Sequence, residues 1–203
     1  RLRTMLPASP RWLKQVHGNE VIAHDGDSFS VPEADAMVVS QPRQVCAVLT
    51  ADCLPVVFAS ESGNRVAVAH AGWRGLAAGV LENTLTAMHE EPEKVLAWLG
   101  PGIGPKYYEV GPEVRRTFTD ACPLADSAFR PDGDRYYADL YRIARQRLSQ
   151  AGVDRVFGGD LCTFDDADRF YSYRRDGVTG RMATLVWFDQ ASTPSGPDAF
   201  GKL

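Results

Sequence analysis

The first pattern along the chain is a set of short apolar runs, most of them rich in β-branched residues. VCAVLTADCLPVVFAS, residues 45–60, is apolar but is broken at Asp52-Cys53 and by Pro55, so it predicts two strands with an interruption between them. NRVAVAH, residues 64–70, follows a Ser-Gly turn and predicts another buried strand. Further strands are predicted over KVLAWL (94–99), DRVFGG (154–159) and RMATLVWFD (181–189).

Apolar positions at helical spacing lie between several of these strands. In LAAGVLENTLTAMHE, residues 76–90, Leu81, Leu85 and Met88 recur on one helical face. PEVRRTFTDA (112–121) and DLYRIARQRLSQAG (139–152) also predict helices, the second with Asp139 as its N-cap and Gly152 as its end. Because strands and helices alternate, the sequence predicts an α/β or α+β domain with a mixed sheet and helices packed outside it. The pattern leaves the strand order open.

Length and composition agree with one soluble globular domain. The chain has 203 residues, of which 44% are hydrophobic and 24% are charged, close to the averages for such proteins. We predict a single catalytic domain over residues 1–190 and a flexible tail over residues 191–203. The opening residues RLRTMLPASP look like the end of a helix, so we expect that an N-terminal segment is missing before them.

Charge and cysteine usage exclude some partners. The net charge is −4 and no basic tract is present, which argues against nucleic acid, and no apolar run approaches the roughly 18 residues of a membrane helix. Four cysteines without a CxxC pair favour a reducing, cytoplasmic setting. A basic cluster is able to hold a small anion, but we expect three of its arginines to bridge surface carboxylates instead: Arg174, Arg175 and Arg181.

Three side chains carry the chemistry that metal ions prefer: His17 in KQVHGNEV, Cys53 in LTADCLPV and His70 in AVAHAGWRG. Each lies near the junction of a strand and a loop, and imidazole and thiolate are typical zinc ligands. Three protein ligands leave a fourth position for water or substrate, as in catalytic sites. The spacings of 36 and 17 residues match no local metal motif. Hydrogen-bonded histidines and a small buried cysteine therefore remain alternatives. We interpret His24 and His89 as surface residues.

Arg74 is a candidate for binding an anion. It lies between a predicted strand and a helix start, beside Gly72, and glycine lets the backbone approach a ligand. A phosphate would fit there with Arg74 as a bidentate clamp. The alternative is an ion pair across the turn. Trp73 and Tyr108 offer planar rings that a base could stack on, although tyrosines in such loops more often pack at a rim.

Several segments together resemble the laccase-domain proteins, which were named multi-copper polyphenol oxidoreductases. The resemblance runs from about residue 12 to residue 188. The segments that carry it are QVHGNEV, EADAM, TADCLPV, HAGWRGLAAGV, GPGIGPKYYEVG and YSYRRDGVTGR. It implies one domain with sheets layered between helices. It also implies a metal, usually zinc with copper as the alternative, held at His17, Cys53 and His70. Many members carry cysteines where this chain has Gly102, Lys106 and Tyr107, so we expect no mechanism that needs thiols there.

Later members of this family are described as purine nucleoside phosphorylases. The resemblance therefore implies phosphorolysis of adenosine, inosine or methylthioadenosine to the free base and ribose 1-phosphate, with adenosine deamination as a further expectation. The expected partners are a nucleoside and phosphate, and we expect the chain to be either a monomer or a homodimer. We predict Cys53, His70 and Arg74 as catalytic residues. The residues predicted to bind substrate or phosphate are Gly72, Trp73, Arg74 and Tyr108.

Other functions remain open at this stage. A cysteine amidase that edits peptidoglycan precursors would use Cys53 as nucleophile and a histidine as base. A copper-dependent polyphenol oxidase is disfavoured, because four histidines are too few for a multi-copper centre. A zinc-stabilised binding module without catalysis is least attractive, since three ligands are typical of catalytic rather than structural zinc.

Overall fold

The computed structural model describes residues 4–24 and 30–189. The predicted tail at 191–203 lies outside the described residues. Within the described residues the chain forms strands β1 Val21–Ala23, β2 Ala36–Val39, β3 Cys46–Thr50, β4 Leu54–Ser60, β5 Val66–Ala71, β6 Val95–Leu99, β7 Glu109–Val110, β8 Phe129–Asp132, β9 Arg135–Ala138, β10 Arg155–Gly158 and β11 Met182–Val186. The α-helices are α1 Trp73–Ala78, α2 Val80–Met88, α3 Pro112–Thr119, α4 Leu140–Gln150 and α5 Tyr173–Asp176. Short 3₁₀ helices lie at Pro92–Lys94 and Pro123–Ala128.

A six-stranded mixed sheet is the centre of the fold. Its order is β1-β2-β5-β4-β6-β10. The outer pairs β1–β2 and β6–β10 are parallel, and the inner pairs are antiparallel. In the inner sheet Val56 of β4 lies opposite Ala69 of β5 and Leu99 of β6. The two smaller sheets pair β3 with β11 and join β7, β9 and β8.

The two faces of the central sheet pack against different partners. Alternate residues point to opposite faces of a strand. In β4, Leu54, Val56 and Phe58 belong to the main core, which also contains apolar residues of α1, α2 and α4. On the other face Val66 and Val68 of β5 pack with residues of β3. The helices and the β3–β11 sheet therefore enclose the central sheet, which confirms the predicted layered α/β domain.

Some sequence-based boundaries were wrong, for local reasons. The helix predicted over 76–90 begins earlier, at Trp73, and is interrupted at Gly79, whose φ of 92° is left-handed. Pro55 lies inside β4 rather than breaking it, since a missing N–H is tolerated near the start of a strand. The strand interruption before β4 and the N-cap of α4 are confirmed, with the Asp139 carboxylate accepting from the Arg142 amide at 2.9 Å.

The short strands β1, β2, β7, β8 and β9 were not predicted. They have two to four residues each, too few to show a period. None of the helices in the described ranges combines the length and apolar character needed to span a membrane.

Candidate metal centre

His17, Cys53 and His70 meet at one point of the structure. Each offers a ligand atom, and these atoms all lie within 4.8 Å of one another. The fold explains the meeting of two of them. Pro55 of β4 lies opposite His70 of β5, so Cys53, just before β4, comes next to the end of β5. His17 comes from the loop before β1, and its ring centroid is 4.7 Å from that of His70.

Asp35 holds the His70 ring in place. It directly precedes β2, which pairs with β5 so that Ala36 lies opposite Ala69. The Nδ1 atom of His70 is 2.8 Å from Oδ1 of Asp35, and both side chains are almost completely buried. With Nδ1 engaged by a carboxylate, Nε2 is the nitrogen left for a ligand. A carboxylate behind a histidine is the usual outer partner of a metal-binding imidazole.

The same carboxylate shapes the loop that carries His17. Its oxygens accept from the amides of His17 at 2.9 Å and Gly18 at 2.7 Å. His17 itself has a φ of 62°, a left-handed conformation that most side chains avoid and that these hydrogen bonds stabilise. Burial acts to raise the pKa of Asp35, but its hydrogen bonds with His70 and the Gly18 amide lower that pKa below its ordinary value. Asp35 is therefore an anion that positions two of the three candidate ligands.

The electrostatics of the cluster favour a thiolate at Cys53. Burial acts to raise the pKa of Cys53, but hydrogen bonds from His17 and His70 and the charges of both rings lower it to about 6. For His70, burial acts to lower the pKa, and the hydrogen bonds with Asp35 and Cys53 raise it to about 9. In the absence of a metal both shifts favour a thiolate at Cys53 beside an imidazolium at His70. The thiolate is the form of cysteine that binds metals and attacks electrophiles.

The donor set fits a zinc ion. A tetrahedral zinc with ligands at ~2.0–2.3 Å requires ligand atoms roughly 3.3–3.6 Å apart, and the three atoms lie within 4.8 Å of one another. Two imidazoles and one thiolate are a set that zinc accepts and that copper also accepts. His17, Cys53 and His70 would hold the ion, and all three line the cavity described below.

Gly72 packs directly against the cluster. A Cβ atom at this position would lie 3.1 Å from Sγ of Cys53 and 3.2 Å from Cδ2 of His17. Such contacts are tighter than ordinary packing, so a larger residue would displace one of the ligands. The glycine that the sequence suggested for backbone approach to a phosphate is thus also required by the ligands themselves.

Two of the remaining predicted binding residues, Trp73 and Arg74, begin α1, and Tyr108 comes from the loop before β7. Arg74 is exposed, and its guanidinium carbon is 4.5 Å from the ring centroid of Trp73. The guanidinium carbon of Arg174 lies 5.3 Å from the ring centroid of Tyr108. Burial and the negative charge of Cys53 raise the pKa of Tyr108, against the opposing charges of the two arginines. Tyr108 is therefore within electrostatic reach of both the cluster and Arg74. That Arg74, Trp73 and Tyr108 bind substrate stays a prediction.

The three candidate ligands also line a cavity of about 430 Å³, which Trp73, Arg74 and Tyr108 do not line. Tyr173 and Arg181 line this cavity together with the three candidate ligands. The expectation that nearby arginines bridge surface carboxylates holds for Arg175, which pairs with Asp176 at 2.8 Å. It fails for the other two among the described residues: Arg174 donates to the carbonyl of Glu109, and Arg181 donates to carbonyls of its own turn.

Two acidic residues of the site were missed from sequence, Asp35 and Asp52. Asp52 directly precedes Cys53, is 8% exposed and has a φ of 92°. Its carboxylate accepts from the Thr163 hydroxyl and from the Arg174 amide, both at 2.6 Å. Asp35 lies in EADAM and Asp52 in TADC, two segments that carry the family resemblance, and that was the available signal.

The two other histidines differ from each other. His89 is exposed, as predicted. The prediction of a surface position was wrong for His24, which is 9% exposed. It directly follows β1, and its amide donates to the Val38 carbonyl of β2, which holds it against the sheet.

Comparison with known proteins shows which family the chain belongs to. A family model described as multi-copper polyphenol oxidoreductase laccase matches residues 1–189. The chain belongs to this laccase family. The resemblance seen in the sequence is therefore confirmed, and the three candidate ligands, Asp35 and Asp52 all lie within the matched residues.

Two relatives of this chain carry a common name. The protein named purine nucleoside phosphorylase YfiH from Escherichia coli K12 is 53% identical over 182 residues, covering 90% of this chain and 75% of the relative. Purine nucleoside phosphorylase PA4543 from Pseudomonas aeruginosa is 52% identical over 189 residues, covering 92% and 77%.

Solved laccase-family structures share the fold. Neisseria meningitidis protein NMB0706 matches with a TM-score of 0.89 at 45% identity, covering 93% of this chain and 78% of that one. YlmD from Geobacillus stearothermophilus matches with a TM-score of 0.82 at 29% identity, covering 89% and 74%.

Proposed function

We propose that this protein is a metal-dependent purine nucleoside phosphorylase, which converts a nucleoside and phosphate to the free base and ribose 1-phosphate. The observation that carries the proposal is the cluster of His17, Cys53 and His70 at the wall of a 430 Å³ cavity. This volume lies in the range of about 300–1,000 Å³ that is usual for small-molecule sites. The names of the bacterial relatives support the choice of substrate.

Zinc is the metal that we propose for the cluster. A zinc ion held there would supply a Lewis acid that polarises a substrate lone pair. The chain's own contribution is to fix the ligands: Asp35 orients His70 and holds the His17 loop, and the lowered pKa of Cys53 keeps its thiol ionised. Metal analysis of protein purified without added metal is expected to give about one zinc per chain, lost in Cys53→Ala.

We assign phosphate to the start of α1, where Arg74 is exposed to solvent. In phosphorolysis an oxygen of phosphate forms a bond to C1′ of the ribose while the bond from C1′ to the base nitrogen breaks. The base leaves with the bonding electrons and takes up a proton. The ribose gains positive charge in the transition state, so a phosphate anion fixed by Arg74 stabilises it electrostatically. Trp73 and Tyr108 offer the aromatic surface that a purine requires.

Product analysis tests the reaction directly. The protein is incubated with inosine and with adenosine, with and without phosphate, and free base and ribose 1-phosphate are measured. Base release that requires phosphate and matches ribose 1-phosphate in amount is the expected result. The Cys53→Ala variant serves as the inactive control. Absence of turnover of both nucleosides by zinc-loaded protein would contradict the proposal.

The proposal has two further parts. The first is deamination of adenosine, which would appear as phosphate-independent release of ammonia with formation of inosine. The second is a cytoplasmic setting, which the four free thiols support. Both are measured separately from phosphorolysis, so either can fail alone.

A cysteine amidase is the second candidate, because the cluster also has the order of a nucleophile, a base and an orienting acid. Hydrogen bonds join Cys53 to His70, and His70 to Asp35. A chelator distinguishes the two candidates. Removal of the metal would abolish nucleoside cleavage by the phosphorylase but would leave or increase hydrolysis of a muropeptide amide by a free Cys53 thiolate.

A further inference from the structure

Among the residues that the structure describes, Arg181 is the arginine that lines the cavity. It lines the cavity together with His17, Cys53 and His70, whereas Arg74 does not line it. We propose that Arg181 and Tyr173 form a second anion subsite, which binds a phosphoryl group inside the cavity. The inference rests on the proposed function for its substrate class. The phosphoryl group is either free phosphate or the 5′-phosphate of a nucleoside monophosphate.

The guanidinium of Arg181 is held by its own turn but is not neutralised. Its Nη1 atom donates to the carbonyl oxygens of Thr179 at 3.0 Å and Gly180 at 2.9 Å. An arginine has five N–H donors, so Nε and Nη2 keep three for a ligand. Among the described residues no carboxylate pairs with Arg181. By contrast, the guanidinium of Arg175 donates hydrogen bonds to the carboxylate of Asp176 and to three backbone carbonyls.

The walls beside Arg181 are anchored to the rest of the fold. Tyr173 begins α5, and the following residue donates its amide to the buried carboxylate of Asp52 at 2.6 Å. A Cβ atom at Gly180 would lie 2.9 Å from the ring of Tyr171, so the turn before Arg181 packs closely against that ring. A ligand would therefore have to order the two exposed side chains, Tyr173 and Arg181, but not the backbone that carries them.

The charge of the cavity also favours an anion. The described residues that line it include Arg181 but no aspartate or glutamate, and its one other anionic group, the Cys53 thiolate, is a candidate metal ligand. A guanidinium binds the planar edge of a phosphoryl group through two parallel hydrogen bonds, and a tyrosine hydroxyl adds a third donor. Of the two arginines Arg74 and Arg181, only Arg181 lines the cavity.

Binding measurements on zinc-loaded protein test this inference without relying on turnover. Isothermal titration calorimetry is performed with inorganic phosphate, inosine and inosine 5′-monophosphate. The variants are Arg181→Gln, which removes the charge, and Arg181→Lys, which keeps the charge but loses the paired N–H donors of the guanidinium. Arg130→Gln is the control, because Arg130 is an exposed arginine on β8 that stacks on Tyr137. Zinc content and melting temperature confirm that each variant is folded.

We expect Arg181→Gln to lower the affinity for one phosphoryl ligand by about 10- to 100-fold, and Arg181→Lys to lower it by an intermediate factor. The affinity for inosine, and all affinities of the Arg130→Gln control, should stay unchanged. Weakened binding of inorganic phosphate identifies the free anion as the ligand. Weakened binding of the monophosphate alone identifies the 5′-phosphate. The inference is overturned if the wild type binds neither phosphoryl ligand, if Arg181→Gln binds both as the wild type does, or if Arg130→Gln loses as much.

These results are distinct from the fate of the proposed function. Phosphoryl binding that depends on Arg181, without turnover of any nucleoside, would retain the subsite and reject the phosphorylase. Phosphate-dependent base release, together with binding of both phosphoryl ligands that is insensitive to Arg181→Gln, would retain the phosphorylase and reject the subsite.

Discussion

The Nδ1 atom of His70 lies 2.8 Å from a carboxylate oxygen of Asp35, and the two side chains are 3% and 0% exposed. The same carboxylate accepts backbone hydrogen bonds from the loop of His17. One buried anion therefore sets the orientation of two candidate metal ligands that lie 53 residues apart in the chain. Cys53 is positioned separately, by the register between β4 and β5.

We expect Asp35→Asn to lower the affinity for zinc by about 10- to 100-fold, the usual cost of losing an outer carboxylate. The amide keeps the size of the side chain but removes the charge that orients and polarises His70. Affinity is measured by competition with a chromogenic chelator. Glu33→Gln is the matched control, because Glu33 is exposed and pairs with Lys14 at the surface. An unchanged affinity in Asp35→Asn would show that the imidazole needs no anionic partner.

The thiol of Cys53 is expected to react at a lower pH than an ordinary cysteine. Its pKa is lowered to about 6, so in metal-free protein the thiolate is present above pH 6 and is lost as the pH falls through that value. The rate of alkylation by iodoacetamide should therefore rise between about pH 5 and pH 7 and then level off. Mass spectrometry of the peptides measures it, and zinc should suppress it.

Cys46 provides the internal reference for this experiment, since burial raises its pKa to about 12 and it should remain unmodified throughout. A Cys53 rate that continues to rise through pH 8 to 9, as for a free thiol, would contradict the hydrogen-bonded cluster.

Much of the layered fold was predictable, because its central strands are long enough to show a pattern. β4 and β5 are buried apolar runs of seven and six residues, and their ends place Cys53 and His70. The short strands were not predictable, since β2 has four residues and owes its position to pairing with β5. That pairing brings Asp35 to His70, and a contact across 35 residues leaves no local pattern in the sequence.

The three ligands were predictable from their chemistry, but the residues that support them were not. Aspartate is common on protein surfaces, so Asp35 and Asp52 carry no signal until the strands around them are paired. Arg181 was expected to bridge carboxylates, as most exposed arginines do. The structure instead turns it toward the cavity through the 177–181 turn, where Gly177 has a φ of 68°.

Asp52 is expected to contribute to stability through its two buried hydrogen bonds. Asp52→Ala leaves the Thr163 hydroxyl and the Arg174 amide without their acceptor and places alanine at a φ of 92°. The loss of the acceptor should lower the free energy of unfolding by about 1–3 kcal/mol. Asp52→Asn should lose less stability, because asparagine keeps a hydrogen-bond acceptor and tolerates the left-handed region. Urea unfolding of the zinc-loaded proteins measures the difference. Asp134→Ala, at an exposed turn, should stay within about 0.5 kcal/mol of the wild type.

If Asp52→Ala unfolds like the wild type, the carboxylate is not needed to hold its two partners. If it loses zinc as well as stability, the same carboxylate also fixes Cys53, its neighbour in the chain. Restoration of zinc binding in Asp52→Asn would then show that an acceptor, rather than a charge, is required.

Arg74→Ala is expected to raise the KM for phosphate while leaving the zinc content unchanged. The lost contact is a charge-assisted hydrogen bond, which contributes about 1.5–3 kcal/mol, so the increase should be about 10- to 100-fold. The KM for the nucleoside should change less, since Arg74 stacks on Trp73 outside the cavity. Steady-state kinetics with phosphate varied at saturating inosine measures both constants, with Arg130→Ala as the control for removing an exposed charge. An unchanged KM for phosphate would leave Arg74 with its contact to Trp73 alone and would move the phosphate to another cation.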